Sequence, residues 1–244
     1  MPEGPSIVIL KEAVQEFKNQ KVIHASGNSQ KIDTRQIIGQ HIVDFKSWGK
    51  HFLICFSKFS IRIHFMLFGS YRINERKPSE ARLCLQFKDG ELNFYACSVQ
   101  LIEEPLSEVY DWQSDVMSEQ WNPENATMKL KEKPDTLVCD ALLDQNIFAG
   151  VGNIIKNEVL YRIGVHPESR LGAMPQQKID DLVAEAVNYS FDFLKWKKDF
   201  TLKKHWLAHT KKVCLRDSTP FVRKHLGKTN RRSFFCTSCQ LLYK

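Results

Sequence analysis

The 244-residue chain has no apolar run of the ~18 residues or more that a membrane-crossing helix needs, so no spanning segment is expected. Its start, MPEGPSIVILKEAV, lacks a basic stretch followed by an apolar block and does not read as a secretory leader. Cysteine is sparse and odd in number. Of seven residues, Cys55, Cys84, Cys97 and Cys139 stand singly in apolar surroundings and read as small core residues. Without an export signal, that count argues against a disulfide scaffold and for a reducing, intracellular setting. No internal repeat and no low-complexity tract interrupts the chain. Acids nearly vanish from residues 201–244, which hold eleven Lys/Arg and one acid, Asp217; the first 200 residues hold 24 basic and 27 acidic side chains. The net charge of +7 is therefore a property of one end. Such a cluster suits a polyanion, because phosphate contacts release counterions. The plain alternative is a solvated charged terminus.

What is present points to an α+β chain. Hydrophobic residues make up 43 %, enough for a real core. Ile7, Leu10, Val14 and Phe17 recur at helical spacing and predict an opening helix over 6–17. Short β-rich runs follow at 40–48, 51–56, 60–65, 82–87, 92–96 and 99–102, several alternating apolar and polar residues, which predicts an antiparallel β-sandwich or barrel. The polar stretch 104–134, with Pro105, Pro123 and Pro134, reads as a connection. Beyond it the periodicity is helical: a short helix ending near Gly150, another from Asn153 to Gly164, and a long one over 176–194. The expected division is a catalytic domain over 1–112, a linker over 113–134, a helical domain over 135–211 and a metal-binding tail over 212–244.

Four groups of residues carry chemistry. Met1-Pro2-Glu3 would, on loss of Met1, leave Pro2 as a secondary amine. An α-amino group titrates near 7.7–8.0, so a useful fraction is neutral and nucleophilic at pH 7. Its attack on a sugar or carbonyl carbon gives a cationic iminium, with Glu3 beside it as a general acid/base; an ordinary terminus is the alternative. Gly49-Lys50 sits at a turn entering a strand, where a lone lysine is usually just solvated. Gly150-Val151-Gly152-Asn153 opens a helix. Its glycines would let a phosphate approach, or simply make a tight turn between packed helices. Because the preceding segment is helical, a dinucleotide-binding turn is disfavoured. Finally, Cys214-x10-His225-x10-Cys236-x2-Cys239 supplies four ligands suited to one structural zinc, with no open position for catalysis. Buried free thiols are the alternative, and His205 and His209 compete with His225.

Along almost its whole length the sequence resembles the formamidopyrimidine-DNA glycosylase/endonuclease VIII (Fpg/Nei) family. MPEGP resembles the family's catalytic start, Gly49-Lys50 its strand-turn lysine, GVGNIIKNEVLYRIGVHP (150–167) its helix–two-turn–helix element, and Arg231 ahead of the Cys-x-x-Cys pair its zinc finger. The resemblance implies an N-terminal antiparallel β-sandwich, a C-terminal helix–two-turn–helix domain with a zinc finger, and a bifunctional glycosylase/AP lyase that removes oxidised bases and cuts by β,δ-elimination. Pro2 would attack C1′, Glu3 would protonate the sugar, and Lys50, Asn153 and Arg231 would hold phosphates. Met66, Leu67 and Phe68, Leu67 first, would fill the gap left by a flipped base. The expected partner is damaged DNA, with the protein a monomer away from membranes, in a bacterial cytoplasm or a nucleus. Two departures stand out: Ser6 replaces a glutamate common in the family, and the expected ligand set is Cys-His-Cys-Cys rather than four cysteines. The MPEGP start favours the endonuclease VIII side and oxidised pyrimidines. The rivals are a non-catalytic DNA-binding zinc protein and a nucleotide-dependent transferase.

Overall fold

The structure is a computed structural model that describes residues 2–244 and divides into two compact units, Met1–Asp111 and Trp112–Lys244. In the first unit helix α1 (Gly4–Ala13) is followed by strands β1 (His24–Ser26), β2 (Asp44–Trp48), β3 (His51–Cys55), β4 (Ser60–His64), β5 (Ser70–Ile73), β6 (Leu83–Phe87), β7 (Gly90–Tyr95) and β8 (Ser98–Ile102). They form two antiparallel four-stranded sheets, β2-β3-β4-β8 and β1-β6-β7-β5. Period-two alternation decides which side chains meet. Ile61 and Ile63 of β4 face inward opposite Ile54 and Phe52 of β3, while Leu85 and Leu92 pair across β6 and β7. Phe52 and Phe94 touch from the two sheets, ring centroids 5.9 Å apart. Ile7 and Leu10 of α1, with Val14 and Phe17 just beyond it, complete this core. Each such buried side chain contributes roughly 1.5–3 kcal/mol.

Short α2 (Leu106–Val109) ends the first unit, and the second carries α3 (Pro123–Lys131), α4 (Val138–Ala141), α5 (Asn153–Arg162), α6 (Gln176–Lys198) and the hairpin β9 (Val222–Leu226)–β10 (Arg231–Phe235). Helix α5 is buried on nearly every side although it carries Lys156, Asn157 and Glu158. A buried charge needs partners. Glu158 accepts from the amides of Leu207, Ala208 and His209 at 2.9, 3.0 and 2.7 Å, which ties the segment after α6 to α5. Gly164 closes α5 with φ +70, as the C′ position requires.

Several boundaries differ from the sequence reading for identifiable reasons. The opening helix starts at Gly4 rather than Ser6, because Pro5 has its φ set for a first turn and needs no donor there. Strands β1 and β5 are three and four residues long and carry too little alternation to read. The stretch 113–134, expected as a connection, carries α3, N-capped by Asn122 (2.9 Å to the Asn125 amide), with Ala126 and Leu130 in the core of the second unit. The sequence suggests a zinc-held hairpin carrying the arginines but does not delimit its strands β9 and β10, whose charged residues show no apolar alternation.

Candidate functional site

In the first unit Pro2 is half-buried and Glu3 is 1 % exposed at the N-terminal edge of α1. Met1, whose loss the sequence reading expects, lies outside the described residues. Lys50 lies at the tip of the two-residue β2–β3 hairpin, where Trp48 pairs with His51 and Gly49 takes φ +52, a conformation glycine adopts without penalty. Behind it His51 packs against Trp48, Tyr110 and His64 (centroids 5.5, 5.7 and 5.2 Å). Burial pushes the His51 imidazole down to about 3, reinforced by Arg62, His64 and Lys50. Burial also lowers His64, again with Lys50 and Arg62 adding to it. Two of the neighbours shifting these rings, Lys50 and Arg62, are cations, so positive charge gathers at the Lys50 hairpin. Arg62 and His64 were not singled out from the sequence. The only signal is their alternation with Ile61 and Ile63, which marks a strand, not a site.

The β4–β5 turn presents Met66, Leu67 and Phe68 to solvent at 51, 49 and 87 % exposure, unusual for large apolar side chains. Met66 takes φ +52, and the Gly69 amide donates to the Phe65 carbonyl at 2.7 Å. A Cβ at Gly69 would collide with the Phe65 backbone, so glycine keeps this turn tight.

In the second unit Asn153, Lys156 and Asn157 lie at i, i+3 and i+4 on one face of α5, which is turned toward β10. Asn153 Nδ2 donates to the Arg232 carbonyl at 3.0 Å. Arg231 and Arg232 are exposed. The short helix before this motif, α4, ends at Ala141 rather than near Gly150, and Gly150 (φ +99) and Gly152, the N-cap residue of α5, close the run of turns that follows it. No strand precedes them, so this turn lacks the context of a dinucleotide-binding loop.

The metal-ligand expectation needs one correction. Cys214, Cys236 and Cys239 converge, but the fourth donor beside them is Asp217, not His225, with all four ligand atoms within 4.8 Å of one another. His225 pairs with Arg232 in the hairpin and its Nδ1 donates to the Asn230 carbonyl at 2.9 Å. Arg232 lies four residues before Cys236, roughly 13 Å along a strand, so the hairpin register carries His225 out of reach. The chain thus has two like-spaced turns, Cys214-x2-Asp217 and Cys236-x2-Cys239, and the first is the signal the sequence reading missed. The donors fit an ion. A tetrahedral zinc with bonds of about 2.3 Å needs ligand atoms roughly 3.8 Å apart; Cys214 and Cys239 sulfurs are 3.6 Å apart, and Cys236 Sγ lies 3.3 Å from an Asp217 oxygen. Amides of Ser238 and Cys239 donate to Cys236 Sγ, each at 3.4 Å. The Thr219 amide, first among several donors, holds the Asp217 carboxyl below the usual carboxylate range.

Asp140 caps the hairpin tip, accepting from the Lys228 and Thr229 amides at 2.8 and 3.2 Å and from the Thr229 hydroxyl at 3.1 Å. Gly227 there has φ +68, and a Cβ would strike the Asp140 carboxylate. Gly227→Ala is expected to cost about 1–3 kcal/mol, read as a lowered thermal midpoint; an unchanged midpoint would show that this cap contributes nothing. A cavity of about 880 Å³ between α3 and α6 shares no lining residue with any of these groups.

Residues 1–97 match the formamidopyrimidine-DNA glycosylase N-terminal domain, and residues 113–191 match the formamidopyrimidine-DNA glycosylase H2TH domain. Endonuclease 8-like 3 of Xenopus laevis is 30 % identical over 221 residues, 85 % of this chain and 36 % of that protein. The chain thus spans about a third of that relative's length. Formamidopyrimidine-DNA glycosylase of Acinetobacter baumannii (strain SDF) is 25 % identical over 100 % of this chain and 98 % of its own. Lactococcus lactis formamidopyrimidine DNA glycosylase, solved non-covalently bound to DNA containing an AP site, shares the fold with a TM-score of 0.86 at 19 % identity, covering 98 % of this chain and 99 % of that one.

Proposed function

The chain belongs to the formamidopyrimidine-DNA glycosylase/endonuclease VIII family, and from that premise we propose that it is a base-excision-repair DNA glycosylase and AP lyase acting on oxidised pyrimidines. The observation that carries the reading is Pro2 immediately ahead of the buried Glu3 at the start of α1. With Met1 removed, the Pro2 nitrogen lone pair attacks C1′ of the damaged nucleoside. The glycosidic bond breaks and the base departs with a proton. Glu3 supplies the proton that opens the sugar ring, leaving an iminium between Pro2 and C1′. That cation acidifies C2′. Loss of its proton expels the 3′ phosphate, and a second elimination expels the 5′ phosphate; water then returns the free amine.

The remaining residues bind and orient. Lys50 holds a phosphate flanking the lesion, helped by the positive charge of Arg62 nearby. Asn153 and Arg231 hold backbone phosphates on the second unit. Met66, Leu67 and Phe68 are already exposed and need no rearrangement to fill a stacking void. Zinc, held by Cys214, Asp217, Cys236 and Cys239, would tie two turns together as scaffold. The partner is damaged DNA inside a cell, met by a monomer.

The test is release of an oxidised pyrimidine from a 5′-labelled duplex, followed by mass spectrometry of the freed base and gel analysis of the strand. Base release with a cut strand is expected. Tight binding with neither would sink the reading and leave a non-catalytic DNA-binding protein.

A further inference from the structure

We propose that Lys156 is a positioning residue that sets the direction of Arg231, and this rests on the reading of Arg231 as a phosphate contact. Lys156 is 1 % exposed, an unusual place for a lysine. Its long stem runs from α5 to the hairpin, and its Nζ donates to Ser233 Oγ at 2.8 Å and to the Arg232 carbonyl at 3.4 Å. Ser233 is itself fully buried. The two neighbours on the same helix face act alongside it. Asn153 and Asn157 donate to that same Arg232 carbonyl at 3.0 and 3.4 Å, and Asn157 Oδ1 accepts from the Phe234 amide at 3.1 Å. Three side chains of α5 thus grip three consecutive residues of β10.

The register of that grip decides where arginine points. Side chains alternate along a strand, so Arg231 and Ser233 share one face of β10 and Arg232 and Phe234 the other. A slip of one residue would exchange the two arginines. The Lys156–Ser233 hydrogen bond is the side-chain contact in this set that reads which face of β10 is turned to α5, because the others engage backbone atoms. An apolar side chain of similar length could fill the space but could not make that choice. Lys156 therefore acts on DNA through Arg231, without touching it.

The experiment measures affinity of the full, metal-loaded chain for a fluorescent duplex bearing a tetrahydrofuran abasic analogue, across a range of KCl concentrations. Arg231→Ala is expected to weaken binding about tenfold and to lower the slope of log affinity against log salt by about one phosphate's share, ~0.9. Lys156→Met, with both arginines intact, is expected to lower the slope by a similar amount, and the double variant K156M/R231A to lose no more than R231A alone. Losses that multiply in the double variant, or a K156M slope equal to wild type, would overturn the proposal. Ser233→Ala, which removes the acceptor and leaves the lysine, covers the case in which K156M does not fold. It should lower the slope in the same direction and be silent in the R231A background, and an unchanged slope overturns the proposal equally. An R231A slope equal to wild type would instead strike the phosphate reading of Arg231 itself, and the proposal would fall with it.

Discussion

Placing one alanine between Met1 and Pro2 is expected to abolish strand cutting, by about 1000-fold or more, while affinity for an abasic analogue changes less than about threefold. The extra residue converts the Pro2 nitrogen into an amide, whose lone pair is delocalised and no longer a nucleophile. A fresh terminal amine would remain, but one residue, up to about 3.8 Å, away from the position the fold gives Pro2. Near-attack geometry tolerates far less than that. Nothing else at the start of α1 need change: the helix begins at Gly4, and Ile7, Leu10 and Val14 anchor it in the core. The measurement is borohydride reduction during reaction with an oxidised-pyrimidine duplex. The native terminus should give a covalent protein–DNA band and the extended one none. Equal bands, or equal cutting, would remove Pro2 from the chemistry. Loss of affinity in parallel with activity would point to a damaged fold rather than a missing nucleophile.

How much of this was legible in the sequence depends on whether a residue's role is local. The Gly49-Lys50 turn is set by neighbours in sequence, and the glycine's positive φ confirms the tight turn that the motif implies. The inward faces of β4 and α1 follow from periodicity and are buried as read. Features joining distant segments were not legible. His225 and Asp217 are both plausible ligands on paper, and only the pairing of His225 with Arg232 removes one and admits the other. Lys156 reads as a charge on a helix, yet its partners are more than seventy residues away. Stretch 113–134 looks like a connection because its polar side chains dominate, although Val116, Ala126 and Leu130 suffice to dock it. Long-range register, not composition, is what the sequence withholds.

That same register makes the metal centre the second large effect. The two turns carrying Cys214 and Asp217, and Cys236 and Cys239, are short, and few apolar side chains hold them: Tyr161, Ala208 and Phe221 with the cysteines form a small separate cluster. Burial on that scale cannot replace a structural ion, whose binding supplies on the order of 10 kcal/mol in small zinc modules. Cys236→Ala should therefore release the metal and loosen β10, which leads directly into Cys236, and with it Arg231. Asp217→Ala is expected to weaken zinc binding by more than about 100-fold, since even groups that only support a ligand are worth 10–100-fold. His225→Ala should leave affinity unchanged, because its imidazole serves the hairpin tip at Asn230. Competition with a chromophoric chelator, together with metal content by mass spectrometry, separates these outcomes. One zinc per chain in wild type and H225A, with loss in D217A and C236A, is the expected pattern. Zinc lost from H225A but retained in D217A would restore histidine as the fourth ligand and require the β9–β10 register to be wrong.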